Sequence, residues 1–169
     1  PILADYVGEK FGTDKLTVVS PDSGRVRVAD IWADRLATPL AIVHKRRDPD
    51  KPNQVQVNEI VGQVEGRDCL IVDDMIDTGG TILAAAKALK ENGAARVIVA
   101  ATHAVFSPPA SERLNDPVID AVVVTNTLPI TPDKEFETLH VLSIAPLIAK
   151  AIAAVFYDDS VNSLFPGHA

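Results

Sequence analysis

Short apolar runs alternate along the chain with stretches of helical spacing, and that alternation gives the first outline of a fold. Residues 2–11 carry apolar side chains at helical intervals, and Gly12 fits a stop. Residues 16–20 (LTVVS) predict a short buried strand. In 26–36, Val28, Ile31, Trp32 and Leu36 fall near one helical face. A second strand is expected at 40–44 (LAIVH). Residues 45–56 (KRRDPDKPNQVQ) break all periodicity with four basic residues and two prolines, which predicts an exposed, mobile loop.

Beyond that loop, 57–64 partly alternates, as a half-exposed strand does, and 69–73 (CLIVD) is the clearest buried strand. A helix follows almost at once over 81–91, with Asn92-Gly93 as its terminator. Residues 96–101 and 122–125 continue the strand series, with a short helix over 108–114 between them. A long apolar helix is expected at 144–156. Strand and helix in repeated alternation predict one α/β domain over 1–169, with a doubly wound, mostly parallel sheet.

Composition agrees. The 169 residues are 47% hydrophobic but only 5% aromatic, so the core must be largely aliphatic, as suits a parallel sheet covered on both faces. No apolar run approaches the roughly 20 residues that cross a membrane, and Asp5, Glu9 and Lys10 interrupt any secretory signal. Cys69 is the single cysteine and cannot form an internal disulfide, in keeping with a cytoplasmic location. A net charge of −7 argues against nucleic-acid binding but leaves room for a small phosphorylated ligand. The first residue is Pro1, which points to a processed product or a piece of a longer chain.

Chemistry concentrates in LIVDDMIDTGGT, residues 70–81. The apolar strand ends in Asp73 and Asp74, where ligands of open α/β sheets bind. Carboxylates accept hydrogen bonds only, which suits the vicinal hydroxyls of a ribose. Asp77, Thr78, Gly79, Gly80 and Thr81 then turn into a helix whose amides and dipole favour a phosphate, with two threonine hydroxyls beside them. A plainer reading has Asp74 or Asp77 capping the helix and the glycines making an ordinary tight turn.

This segment resembles the phosphoribosyl-diphosphate motif of type I phosphoribosyltransferases and their relatives. The resemblance implies a type I phosphoribosyltransferase-like domain, with Asp73 and Asp74 at the ribose hydroxyls and residues 77–81 at the 5-phosphate. Taken alone, the motif does not choose between transferring a base and making the diphosphate. Three further segments are similar to ribose-phosphate pyrophosphokinases. They are Ser20-Pro21-Asp22-Ser23-Gly24, then His44-Lys45-Arg46-Arg47, then the tail from Thr102-His103 through Thr125-Asn126-Thr127 to 160–165 (SVNSLF). SPDSGRV and HAVFSPPA further resemble the actinobacterial type.

That family implies that Asp22 helps hold Mg²⁺, that Lys45 is catalytic, and that Arg47 contacts ribose 5-phosphate or the transition state. It implies a parent enzyme that passes diphosphate from ATP to ribose 5-phosphate, assembled as a homo-oligomer. Only the carboxy-terminal half of such an enzyme is matched. The amino-terminal half, with much of the ATP site, is absent, so this half alone is expected to turn over little. Departures from the family are Arg25, Ala104 and Pro108 where glycine is common, and Asn162 where serine is. The rival readings are a purine or pyrimidine phosphoribosyltransferase and a non-catalytic, synthetase-associated regulatory subunit. Trp32 and Cys69 are expected in the core, and His103 as a hydrogen-bonded residue at a strand end.

Overall fold

The computed structural model describes residues 2–46 and 57–164. Its strands are β1 (Leu16–Ser20), β2 (Leu40–Arg46), β3 (Val57–Val61), β4 (Asp68–Ile76), β5 (Arg96–Ala104), β6 (Ala121–Thr125) and β7 (Leu139–Leu142). Among the described residues the α-helices are α1 (Ile2–Phe11), α2 (Val26–Leu36), α3 (Gly80–Glu91), α4 (Ala110–Leu114) and α5 (Ala145–Phe156). The strands form one sheet in the order β3-β2-β1-β4-β5-β6-β7. Every neighbouring pair is parallel except β2 and β3, which run antiparallel at one edge.

Alternation along the central strands splits the core into two layers. Leu70 and Val72 of β4 join Val18, Ile98 and Val123 against α1 and α2. Cys69 and Ile71 join Val19, Val97 and Val122 against α3 and α4. β1 and β6 are buried along their whole length, and both are mostly apolar, with Thr17, Ser20 and Thr125 as buried polar residues. Each fully buried Leu or Ile contributes about 1.5–3 kcal/mol relative to exposure, so this double layer dominates the stability. Trp32 packs partly buried beside the first layer, and the Cys69 thiol is fully buried in the second.

Helix α3 is built from strong helix formers, with Ile82, Ala85, Ala86 and Leu89 on its buried face. It ends as expected at Asn92-Gly93, although only Gly93 takes the left-handed conformation (φ 84°). Asn92 keeps φ −95° and closes the helix with its own Nδ2, which donates to the Ala88 carbonyl at 2.8 Å. Helix α5, by contrast, buries none of its residues.

Several strands outrun their apolar runs. β4 continues past Asp73 because its backbone stays paired with β5 through Met75↔His103 and Ile76↔Ala104. β2 continues to Arg46, with Lys45↔Asn58 and Arg46↔Val57 closing the ladder to β3. Lys45 therefore ends a strand rather than opening a loop, and residues 47–56 lie outside the described residues. β7 was not expected from the sequence.

The antiparallel edge depends on Gly62, which follows β3 with φ 122°. A Cβ there would sit 2.7 Å from Ala41 Cβ and 2.8 Å from Ala41 Cα. Gly12 also has positive φ (79°), yet a Cβ there meets nothing within 4 Å. Gly62→Ala is expected to cost about 2–3 kcal/mol, and Gly12→Ala about 1 kcal/mol or less. Urea unfolding of both variants checks the order, and equal midpoints would show that β2 yields without cost.

Candidate functional site

The sheet order places β1 and β4 side by side with the chain winding away from them in opposite directions. Such a switch point leaves a crevice beyond the carboxyl ends of the two strands, where open α/β sheets bind ligands. Here those ends are the turn after Ser20 and the segment from Asp73 onward.

The turn after β1 is held by its own polar groups. Ser20 Oγ donates to the Asp22 carbonyl at 2.7 Å, and the Gly24 N–H donates to Asp22 Oδ1 at 2.8 Å. Asp22 is thus a turn former, as an Asp after Pro should be. The turn delivers Arg25 to the start of α2. From there Arg25 spans the acid pair of β4: its Nε lies 3.1 Å from Asp73 Oδ1, and its Nη1 lies 2.8 Å from Asp74 Oδ2.

Asp73 is the more enclosed of the two, with its side chain 15% exposed against 41% for Asp74. Burial pushes the Asp73 carboxyl up to about 6, and the adjacent Asp74 carboxyl pushes the same way. The Asp74 N–H, bonded to Asp73 Oδ1 at 2.8 Å, and the Arg25 guanidinium oppose the rise. Asp74 Oδ1 is buried and has no hydrogen-bond donor among the described residues. A buried acceptor left unbonded costs free energy, so the acid pair is held here against a local penalty.

The segment 77–81 then enters α3 through Gly79, in left-handed conformation (φ 71°, ψ 3°). No side chain caps the helix, so neither Asp74 nor Asp77 plays the capping role that a plainer reading gave them. The first N–H groups of α3 keep their bonding capacity for an anion. Asp77 and Thr78 are exposed, Gly79 is buried, and Gly80 and Thr81 lie between. Asp73, Asp74 and 77–81 are therefore one continuous strand end and helix start, with the Asp22 turn linked to them through Arg25.

Lys45 and Arg47 stand apart from that cluster. Lys45 lies in β2, parallel to β1, so β2 leads toward the same end of the sheet as the crevice. Ser20 pairs with Ile42, and β2 runs four residues further, to Arg46, roughly 13 Å at strand rise. Arg47 is outside the described residues. His103 is hydrogen-bonded through Nδ1 to Thr127 Oγ1 at 2.9 Å, as expected of a structural histidine. Burial pushes the Cys69 thiol up to about 12, which leaves it unreactive in the core.

For a divalent cation, no group of three or more His, Cys, Asp or Glu converges among the described residues. Asp22 has one oxygen in its turn and a second to offer, which fits Mg²⁺ shared with water and phosphate oxygens rather than a protein cage.

Two residues at the site escaped the sequence reading. Arg25 stood out only as a replacement for glycine, and nothing local says that it reaches β4. Arg113 of α4 donates from Nη1 to the Thr78 carbonyl at 3.0 Å, 35 positions away in sequence. No signal in the sequence pairs those two positions.

Comparison with known proteins fits this geometry. The family described as "Phosphoribosyl synthetase-associated domain" matches residues 51–166. A ribose-phosphate pyrophosphokinase of Streptomyces coelicolor is 62% identical over 165 residues, covering 98% of this chain and 51% of that protein. The crystal structure of phosphoribosylpyrophosphate synthetase from Mycobacterium smegmatis superposes with a TM-score of 0.84 at 53% identity, over 93% of this chain and 50% of that one. Orotate phosphoribosyltransferase from Aeropyrum pernix shares the fold (TM-score 0.55, 19% identity, 90% of this chain and 73% of that one). The fold is thus α/β of the phosphoribosyltransferase type, and the chain belongs to the ribose-phosphate pyrophosphokinase family. It spans about half the length of the curated relatives it matches.

The elevated Asp73 carboxyl sets a pH dependence of stability. An unfolded Asp titrates near about 3.9, so between about pH 4 and 6 the folded chain holds a proton that the unfolded chain has lost. This contribution is full below pH 4 and is lost as pH rises through 6. Asp73→Asn should therefore be more stable than the unaltered chain at pH 8, by about 1–2 kcal/mol, with the gap closing toward pH 4. Denaturant titrations at both pH values measure it; a gap independent of pH would contradict the assignment.

Proposed function

We propose that the chain is the sugar-phosphate-binding half of a ribose-phosphate diphosphokinase. In this reading Asp73 and Asp74 accept from the ribose hydroxyls, and Asp77, Thr78, Gly79, Gly80 and Thr81 cradle the 5-phosphate. The observation that carries it is an acid pair with a buried, donor-less oxygen, set directly before an uncapped helix N-terminus. Family membership supports the choice of sugar phosphate.

The parent enzyme joins the anomeric oxygen of ribose 5-phosphate to the β-phosphorus of ATP. The bond between that phosphorus and the oxygen of AMP breaks, and the proton of the anomeric hydroxyl departs, giving 5-phosphoribosyl diphosphate and AMP. Such transfer asks the protein chiefly for alignment and for stabilisation of spreading negative charge. Lys45 and Arg47 are the cations assigned to that second task, with Lys45 carried by β2 toward the crevice end of the sheet. Asp22 would be the residue that holds Mg²⁺, which when bound would supply charge neutralisation on the phosphates. The missing amino-terminal half brings much of the ATP site, and self-association belongs to the whole enzyme. The 169-residue chain alone binds the sugar phosphate and turns over little.

Two measurements test this. Calorimetry with ribose 5-phosphate should give binding that Asp73→Ala weakens about tenfold or more, since a charge-assisted hydrogen bond is worth about 1.5–3 kcal/mol. An unchanged dissociation constant would remove Asp73 from the sugar site. Assays of the purified chain with ATP, Mg²⁺ and ribose 5-phosphate should yield no more than traces of AMP. Robust turnover would refute the division of labour between the halves.

A further inference from the structure

The glycines of 77–81 are pressed from one side by α4. A Cβ on Gly79 would lie 3.6 Å from Leu114 Cγ and 3.7 Å from both the Ala110 carbonyl oxygen and Arg113 Cβ. One on Gly80 would lie 3.3 Å from Arg113 Nη1 and 3.9 Å from its Cζ. The same Nη1 donates to the Thr78 carbonyl at 3.0 Å. That carbonyl and the Gly79 N–H belong to one planar trans peptide, so they point in opposite directions. Fixing the carbonyl toward α4 turns the Gly79 N–H away from it. Among the described residues, that N–H makes no backbone hydrogen bond, and no carboxylate forms an ion pair with Arg113. The guanidinium thus sets the orientation of one peptide and adds an unneutralised positive charge beside the N-terminus of α3.

We propose that Arg113 is a positioning residue for the phosphate cradle, which holds the Thr78 carbonyl so that the Gly79 N–H faces the bound anion. The inference rests on the reading of 77–81 as the sugar-phosphate loop and names a residue outside that loop on which the loop's affinity depends. Arg113 acts through the Thr78–Gly79 peptide and has no contact with the sugar.

Arg113→Met keeps an unbranched stem against Leu114 and Gly79 but has no donor, whereas Arg113→Lys restores a cationic donor. Both are compared with the unaltered chain by calorimetry with ribose 5-phosphate, and by the Gly79 amide resonance during titration with inorganic phosphate. Arg113→Met should weaken ribose 5-phosphate binding about tenfold, shift the Gly79 resonance in the free chain, and blunt its response to phosphate. Arg113→Lys should recover most of each. Unchanged affinity with an unmoved Gly79 resonance overturns the proposal. So does a large fall in unfolding temperature shared by both variants with no recovery by lysine, since that is a packing role. If the unaltered chain binds neither ribose 5-phosphate nor phosphate, the reading of the loop itself fails, and this inference falls with it.

Discussion

Winding reverses at the β1–β4 pair. After β1 the chain lays down β2 and β3 on one side, then crosses back to place β4 on the other and continues to β7. Parallel crossovers are right-handed, so opposite directions of travel put the connecting helices on opposite faces. α2, between β1 and β2, packs in the layer with Val18 and Val72; α3, between β4 and β5, packs in the layer with Val19 and Ile71. The two helices leave their strands on opposite faces, and the space beyond the carboxyl ends of β1 and β4 opens between them. The Asp22 turn, the acid pair and the glycine entrance to α3 all lie at that end of the sheet, with Arg25 joining the first two.

A carboxylate placed at the edge of a buried strand is held at a cost. Cys69 to Val72 are fully buried, and Asp73 follows them directly, so its charge is partly desolvated. The fold offsets this with a backbone N–H and one limb of Arg25, which is why the carboxyl rises only to about 6. A structure selected for stability alone would place an apolar residue there. The retained acid is a local conflict of the kind that marks functional sites.

What the sequence revealed was what is local. Residues 70–81 carry their strand, their acids and their glycine turn in one stretch, so period and residue type sufficed to place them. The ends of strands were less legible, because an apolar run reports burial while a ladder reports backbone pairing. Met75 and Ile76 extend β4 by their register with β5, and the charges of Asp73 and Asp74 just before them do not end the strand. β7 is short and only partly buried, so it lacks the apolar signature that betrays β1 or β6. Arg25 and Arg113 were invisible for a third reason. Each reaches the site across a tertiary gap, one from the head of α2 and one from α4, and side-chain reach leaves no periodic trace.

Arg25 also bears on how the site can work. At the head of α2 this chain places a forked cation across two neighbouring carboxylates. Like charges side by side resist joint ionisation, and a guanidinium that contacts both relieves that repulsion without burying either fully. Its contacts fall on Asp73 Oδ1 and Asp74 Oδ2, while Asp74 Oδ1 stays buried and without a donor. The clamp therefore engages one oxygen of each carboxylate and leaves Asp73 Oδ2 and Asp74 Oδ1 outside it. Of these two, Asp74 Oδ1 is buried, so Asp73 Oδ2 is the one left open to a donor with Arg25 in place. A donor aimed at either clamped oxygen has to share it with the guanidinium and is held more weakly there.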